Sequence, residues 1–213
     1  MFDARLLKLS RHWIESAAQQ CDQRGIRANQ VTWVGFVIGL LASPLIAMGI
    51  EWLAIILILL NRISDGVDGA LARRQGVTDL GAFLDIVLDF IFYAAIPMGF
   101  ALQDPQQNAL TAAILLFSFM GTASSFLAFA ILAERRQLKS VAFPAKGFYY
   151  LGGLTEATET ITLFIVCCLF PSMFAALGIL FAILCLITTG MRITMGVRTF
   201  NTSSTAPIDS AQV

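Results

Sequence analysis

DGVDGALARRQGVTDLGAFLDIVLD, residues 65–89, places Asp65, Asp68, Asp85 and Asp89 inside largely apolar sequence, with apolar runs at 55–60 before it and 86–96 across its end. A carboxylate at the centre of a membrane helix costs roughly 2.5–3.5 kcal/mol on insertion scales. Four together require neutralising cations or a water-filled cavity. On a helix turning ~100° per residue, Asp65 and Asp68 lie ~60° apart, and Asp85 and Asp89 ~40° apart. Each pair therefore offers two carboxylates from adjacent turns of one face. Two such faces opposed across a cavity would form an oxygen cage suited to hard divalent cations.

The spacers extend this reading. Gly69 and Ala72 fall on the same side as Asp65, where their small size admits a bulky ligand. Arg73 follows as a permanently charged fork suited to phosphate. Gly81 continues the second acidic stripe as an empty notch four residues before Asp85. The order points to a diphosphate ester held for phosphoryl transfer. Asp79, by contrast, reads as a helix cap favoured by the dipole.

At these positions the sequence resembles the CDP-alcohol phosphatidyltransferases, whose signature is D-x2-D-G-x2-A-R and then G-x3-D-x3-D. Asp65, Asp68, Gly69, Ala72, Arg73, Gly81, Asp85 and Asp89 match it in order. The spacer between Arg73 and Gly81 has seven residues, one fewer than usual in the family, and crosses a turn expected at 75–78. The resemblance implies transfer of a phosphatidyl group from a CDP-linked lipid, most simply CDP-diacylglycerol, to a small alcohol with release of CMP. It implies two divalent cations, Mg²⁺ or Mn²⁺, held by Asp65, Asp68, Asp85 and Asp89, with Asp89 as general base. It assigns CDP contacts to Asp65, Asp68, Gly69, Ala72, Arg73 and Gly81, and implies a homodimer. Family members often begin their first span with Pro-Asn-x-x-Thr. Asn29 and Thr32 keep two of those positions, and Ala28 replaces the proline. These two are nucleotide-side candidates, with helix capping by Asn29 as the other reading.

Composition agrees with a lipid environment. The chain has 213 residues, 57% hydrophobic and 13% charged, with a mean hydropathy of +0.77. This is the profile of a polytopic membrane protein and no nucleic-acid partner is expected. The fold expected is all-α, with six transmembrane helices preceded by an N-terminal amphipathic interfacial helix. In residues 1–28, Phe2, Leu6, Leu9 and Trp13 recur at helical spacing beside Arg5, Lys8 and Arg11, the pattern of a helix lying on a membrane surface. His12 reads as a surface residue of that helix.

The spans are expected at 31–50, with a bend at Pro44, then 52–74, 80–102, 109–133, 155–170 and 173–195. Each is close to the ~20 residues that cross the hydrocarbon core. Residues 29–200 form the membrane domain, and 201–213 a polar, disordered cytoplasmic tail. All fourteen Lys and Arg fall at one set of helix ends and connections, while those around Glu51, 103–108 and Pro171 have none. The positive-inside rule then puts both termini and the acidic cavity on the cytoplasmic side of the inner membrane. The four cysteines show no metal-ligand spacing and read as packing residues.

The acceptor is not legible. Glycerol 3-phosphate, inositol or its phosphate, and serine all remain open. Arg135, Lys139, Lys146 and Arg192 are candidate ligands for a phosphorylated acceptor, or topology and lipid-headgroup charges. Glu156 and Glu159 are either first-turn acids favoured by the helix dipole or an acceptor-pocket lining. Phe148, Tyr149 and Tyr150 read as an interfacial aromatic belt. The functional alternative is a divalent-cation or proton-coupled transporter using the aspartates as a relay. It leaves the ordered Gly69, Ala72, Arg73 and Gly81 without a role.

Overall fold

The structure is a computed structural model that describes residues 3–136 and 154–201. Those residues are helical, without strands. The helices are α1 (Asp3–Gln23), α2 (Ala28–Leu40), α3 (Ala42–Ala47), α4 (Glu51–Gln75), α5 (Asp79–Gln103), α6 (Pro105–Arg135), α7 (Ala157–Leu169) and α8 (Phe174–Asn201), with a 3₁₀ turn at Pro171–Met173 before α8. Lys139, Lys146, the 148–150 aromatic group and the tail beyond Asn201 lie outside the described residues.

Local sequence explains where the helices start and stop. The bend expected at Pro44 is a break between α2 and α3 at Leu41. Proline lacks an N–H and its ring crowds the carbonyl four residues back, here that of Leu40, so the chain interrupts there. α4 ends at Gly76, whose φ of +99° suits glycine. In the seven-residue spacer the turn lasts only from Gly76 to Thr78, and Thr78 then caps α5 by accepting from the Gly81 N–H at 3.1 Å. Asp104 caps α6 in the same way, accepting from the Gln107 N–H at 3.1 Å, with Pro105 in the first turn.

The surface is apolar as well as the core. Phe92, Phe100, Phe164, Phe174 and Leu115 fill the centre, and Phe100 stacks on Phe174 at 4.4 Å. Polar Asn61, Asn108, Ser118 and Thr188 are buried with them, while Trp52, Leu110, Phe117 and Leu180 are exposed. An apolar exterior around a partly polar interior fits lipid as the surrounding medium.

Among the described residues, four segments are long and apolar enough to cross a membrane: Ala28–Ala47, Asp79–Gln103, Pro105–Arg135 and Pro171–Asn201. The expected second span, α4, has 25 residues but carries the charged motif. The expected fifth, α7, has only 13 residues, ~20 Å of helix against a core of ~30 Å.

Glycine sets how closely α2 meets its neighbours. A Cβ at Gly35 would stand 2.5 Å from the Ser64 Cβ, and one at Gly39 would stand 2.8 Å from Asn61 and 2.9 Å from Phe92. α2 thus sits directly on α4 and α5.

α1 closes the end of this group. Its Ile14, Ala17, Ala18 and Cys21 pack on Val67, Ala70 and Leu71 of α4. Trp13 and His12 face outward. The Gln75 amide ties the two helices together. Its Nε2 donates to Asp22 Oδ1 at 3.0 Å and to the Ile26 carbonyl at 2.8 Å, and its Oε1 accepts from the Ala28 N–H at 3.2 Å. Arg74 adds an ion pair with Asp22 at 3.7 Å.

Candidate active site

Four motif aspartates reach one cleft. It is lined by Thr32, Gly35 and Phe36 of α2, Asn61, Arg62, Asp65 and Asp68 of α4, and Asp85, Leu88 and Asp89 of α5. The helical spacing read from the sequence explains the convergence. Asp65 and Asp68 share a face of α4, Asp85 and Asp89 share a face of α5, and α2 spans the gap between those faces.

Within the cleft the acids are not equivalent. Asp65, Asp85 and Asp89 each present an oxygen such that all three lie within 4.8 Å of one another. Asp68 lines the same cleft but stands outside that cluster. It is 6% exposed, beside the Thr32 hydroxyl and the Gly69 N–H. The expected pair-against-pair cage is therefore three acids with a fourth alongside. Among the described residues, no other group of three His, Cys, Asp or Glu side chains converges this closely. The donors are all oxygen, come from two facing helices and are partly open to solvent. This set fits a hard divalent cation such as Mg²⁺ or Mn²⁺ and is unsuited to softer metals that select Cys or His.

The remaining motif residues extend from the cleft toward the α4–α5 turn. A Cβ at Gly69 would stand 3.6 Å from an Arg73 Nη. Ala72 is half-buried and Arg73 exposed. A Cβ at Gly81 would stand 3.2 Å from both the Asn29 Oδ1 and the Thr78 hydroxyl. Asn29 is therefore placed against the motif's notch, and Thr32 one turn later faces Asp68. Asn29 does not cap α2. That position is held by Arg27, whose N–H donates to the Gln30 side chain at 2.9 Å.

The acceptor candidates lie elsewhere. Arg135, Arg192, Glu156 and Glu159 do not line this cleft. Glu156 and Glu159 form a capping box at the start of α7, where Glu159 Oε2 accepts from the Glu156 N–H at 3.1 Å. This places both acids at the N-terminus of α7, where the helix dipole favours them. Arg192 donates to the Thr122 carbonyl at 3.0 Å and lies 5.6 Å from the Phe126 ring, between α8 and α6. The cysteines are free, and Cys167, Cys168 and Cys185 are buried, as packing residues should be.

Arg62 and Asn61 were not singled out as site residues from the sequence, where Arg62 counted only as a topology charge. The Arg62 Nη2 donates to Asp89 Oδ1 at 2.7 Å, and Nη1 lies 3.7 Å from Asp65 Oδ2. One signal pointed to it: an arginine three residues before Asp65 falls on the same helix face.

A family model of CDP-alcohol phosphatidyltransferases matches residues 26–191. Inner membrane protein YnjF of Escherichia coli is 50% identical over 196 residues, covering 92% of this chain and 95% of that protein. An archaetidylinositol phosphate synthase of Pyrococcus horikoshii is 39% identical over 97 residues, covering 45% of this chain and 52% of the synthase. Among solved structures, phosphatidylinositol phosphate synthase of Mycobacterium tuberculosis with CDP-DAG bound superposes with a TM-score of 0.71, at 21% identity, covering 94% of this chain and 98% of the other. The same enzyme with manganese and citrate gives 0.67, at 22% identity, covering 86% and 88%. These superpositions establish a shared fold.

Proposed function

The chain belongs to the CDP-alcohol phosphatidyltransferase family, a family of membrane transferases, and from that premise we propose that it transfers a phosphatidyl group from CDP-diacylglycerol to a small alcohol, releasing CMP. The observation that carries this is the convergence of Asp65, Asp85 and Asp89 in a cleft that Asp68 also lines.

The roles are those that the family resemblance assigns to these positions. Asp65, Asp68, Asp85 and Asp89 would hold Mg²⁺ or Mn²⁺. Such a cation, when bound, neutralises the diphosphate and the departing phosphate of CMP. Asp89 accepts the proton from the acceptor hydroxyl as its oxygen bonds to the phosphatidyl phosphorus. The bond from that phosphorus to the bridging oxygen breaks, and CMP leaves with the electron pair. Gly69 and Gly81 leave room for the cytidine diphosphate, with Asn29 and Thr32 across from them. Arg73, exposed at the end of the motif, offers its fork to a phosphate.

We assign residues 29–200 to a six-span membrane domain, with α4 and α7 as the spans least evident from composition. α1 lies at the cytoplasmic surface, and both termini and the cleft face the cytoplasm, where CDP compounds and polar acceptors are found. A homodimer follows from family resemblance.

The test is CMP release by purified protein supplied with CDP-diacylglycerol, a panel of alcohol acceptors and Mg²⁺. At least one acceptor should yield CMP and the matching phospholipid in equal amounts. Full turnover in excess chelator, or ion movement across vesicles with no nucleotide present, overturns the proposal. Within that assay Arg73→Lys should cost about 10-fold or more, the worth of one charge-assisted hydrogen bond. Arg74→Lys should cost much less, since Arg74 faces Asp22 and a lysine can keep that pair. Equal losses would move the phosphate contact away from Arg73.

A further inference from the structure

The Arg62 guanidinium is fixed more completely than a substrate-binding arginine needs to be. Its Nε and Nη2 both donate to Asn61 Oδ1, at 2.9 and 2.6 Å. Nη2 also donates to Asp89 Oδ1 at 2.7 Å. Nη1 donates to the Tyr93 hydroxyl at 3.2 Å and faces Asp65 Oδ2 at 3.7 Å. An arginine has five N–H donors; these hydrogen bonds occupy four of them, and Nη1 adds the longer ion pair with Asp65.

The plane of the group is fixed as well. It lies 5.0 Å from the Phe92 ring centroid and 5.5 Å from that of Tyr93. Asn61, itself 5% exposed, is anchored in turn by donating to the Gly35 carbonyl at 2.9 Å. The close approach of α2 at its glycines, the Asn61 amide and two α5 rings thus hold one cation at the edge of the carboxylate cluster. Four of its five donors are thus turned to the protein itself, in contrast to the exposed Arg73.

The geometry points to Arg62 as an internal counter-cation of the site, a positioning residue that fixes Asp89 by Oδ1 and, by sharing Asp65 and Asp89 with a divalent cation, sets how tightly that cation binds. This inference rests on the reading of the aspartates as a metal site. Two consequences have opposite signs. Removing the positive charge takes away repulsion against the divalent ion, so metal binding tightens. Removing the planar fork frees Asp89 to rotate, so turnover falls. An outer-shell residue that merely supports its ligands behaves differently, since its loss weakens metal affinity and activity together, typically ~10–100-fold.

The experiment is a Mn²⁺ titration of the purified full chain in detergent, read by the loss of the free-ion electron paramagnetic resonance signal, with turnover measured on the same samples. Arg62→Met should bind Mn²⁺ ~10-fold more tightly than the wild type, by removal of one like charge a few ångströms away, while turnover drops ~10–100-fold. Arg62→Lys keeps the charge and loses the fork, so its Mn²⁺ affinity should stay within about twofold of wild type while turnover still drops.

Weaker or unchanged Mn²⁺ binding in Arg62→Met, with wild-type binding intact, overturns the counter-cation. Tightening in Arg62→Lys equal to that in Arg62→Met overturns it as well. Should Arg62→Met fail to fold, the lysine variant decides alone, since a tenfold change in its affinity in either direction contradicts the charge argument. Absence of Mn²⁺ binding by the wild type instead overturns the metal site itself, and with it the proposed function.

Discussion

Asp89→Asn is expected to lower turnover by ~10²–10⁴-fold, the usual cost of losing a general base, while CDP-lipid binding stays within a few-fold of wild type. Asp89 sits on α5 with Oδ1 committed to Arg62 at 2.7 Å. Asparagine can keep that oxygen in place and puts a nonbasic amide where the second carboxylate oxygen stood. The helix should pack as before, because the substitution changes neither volume nor the contact with Arg62. What is lost is the proton acceptor, together with one negative charge of the three-acid cluster. Turnover and nucleotide affinity should be measured on the same preparations across a wide range of Mg²⁺. A variant that regains near-normal turnover merely on raising Mg²⁺ would show that Asp89 is a cation ligand only, and the base would lie elsewhere.

Asp65→Asn should act through a different quantity. Asp65 is the only member of the three-acid cluster supplied by α4, so without its charge α4 offers the cation only Asp68, which stands outside that cluster. Loss of an outer-shell partner costs a metal site ~10–100-fold in affinity, and loss of a direct ligand should cost at least the upper end of that range. Mn²⁺ affinity should therefore fall ~100-fold or more, and activity at millimolar Mg²⁺ should be close to undetectable. Asp68→Asn should be milder on Mn²⁺, because Asp68 stands beside Thr32 and outside the cluster. A Mn²⁺ affinity for Asp65→Asn equal to that of the wild type would remove Asp65 from the metal site.

The contrast between Asp65 and Asp68 marks what sequence spacing can tell and what it cannot. An interval of three residues puts both carboxylates on one helix face, and this much was legible. How the partner helix is rotated about its axis is a tertiary matter, and that rotation gives Asp65 the company of Asp85 and Asp89 and leaves Asp68 to Thr32. The convergence of the four acids, the helical class and the turn between α4 and α5 were likewise readable, because each is written in local order and periodicity. Arg62 was overlooked for the opposite reason. Its role depends on Asn61 reaching Gly35 across 26 residues and on rings supplied by α5. A count of basic residues along the chain gives it the same weight as an arginine in a surface loop. Glu156 and Glu159 admitted two readings at three-residue spacing, and the fold adds that they form a capping box at the start of α7. The break at Leu41 was displaced from the proline that causes it, because proline disturbs the turn that precedes it.

The amide of Gln75 carries a consequence for how this sequence can drift. It serves as donor to Asp22 and Ile26 and as acceptor from Ala28 at the same time. Glutamate and lysine each lie one base change away from a glutamine codon. Glutamate would forfeit both donations and set a second negative charge against Asp22. Lysine would forfeit the acceptance. Both exchanges therefore loosen the first helix from the motif helix, although residue 75 does not line the acidic cleft. A compensating change in the 22–28 turn is the direct way to restore the lost contacts.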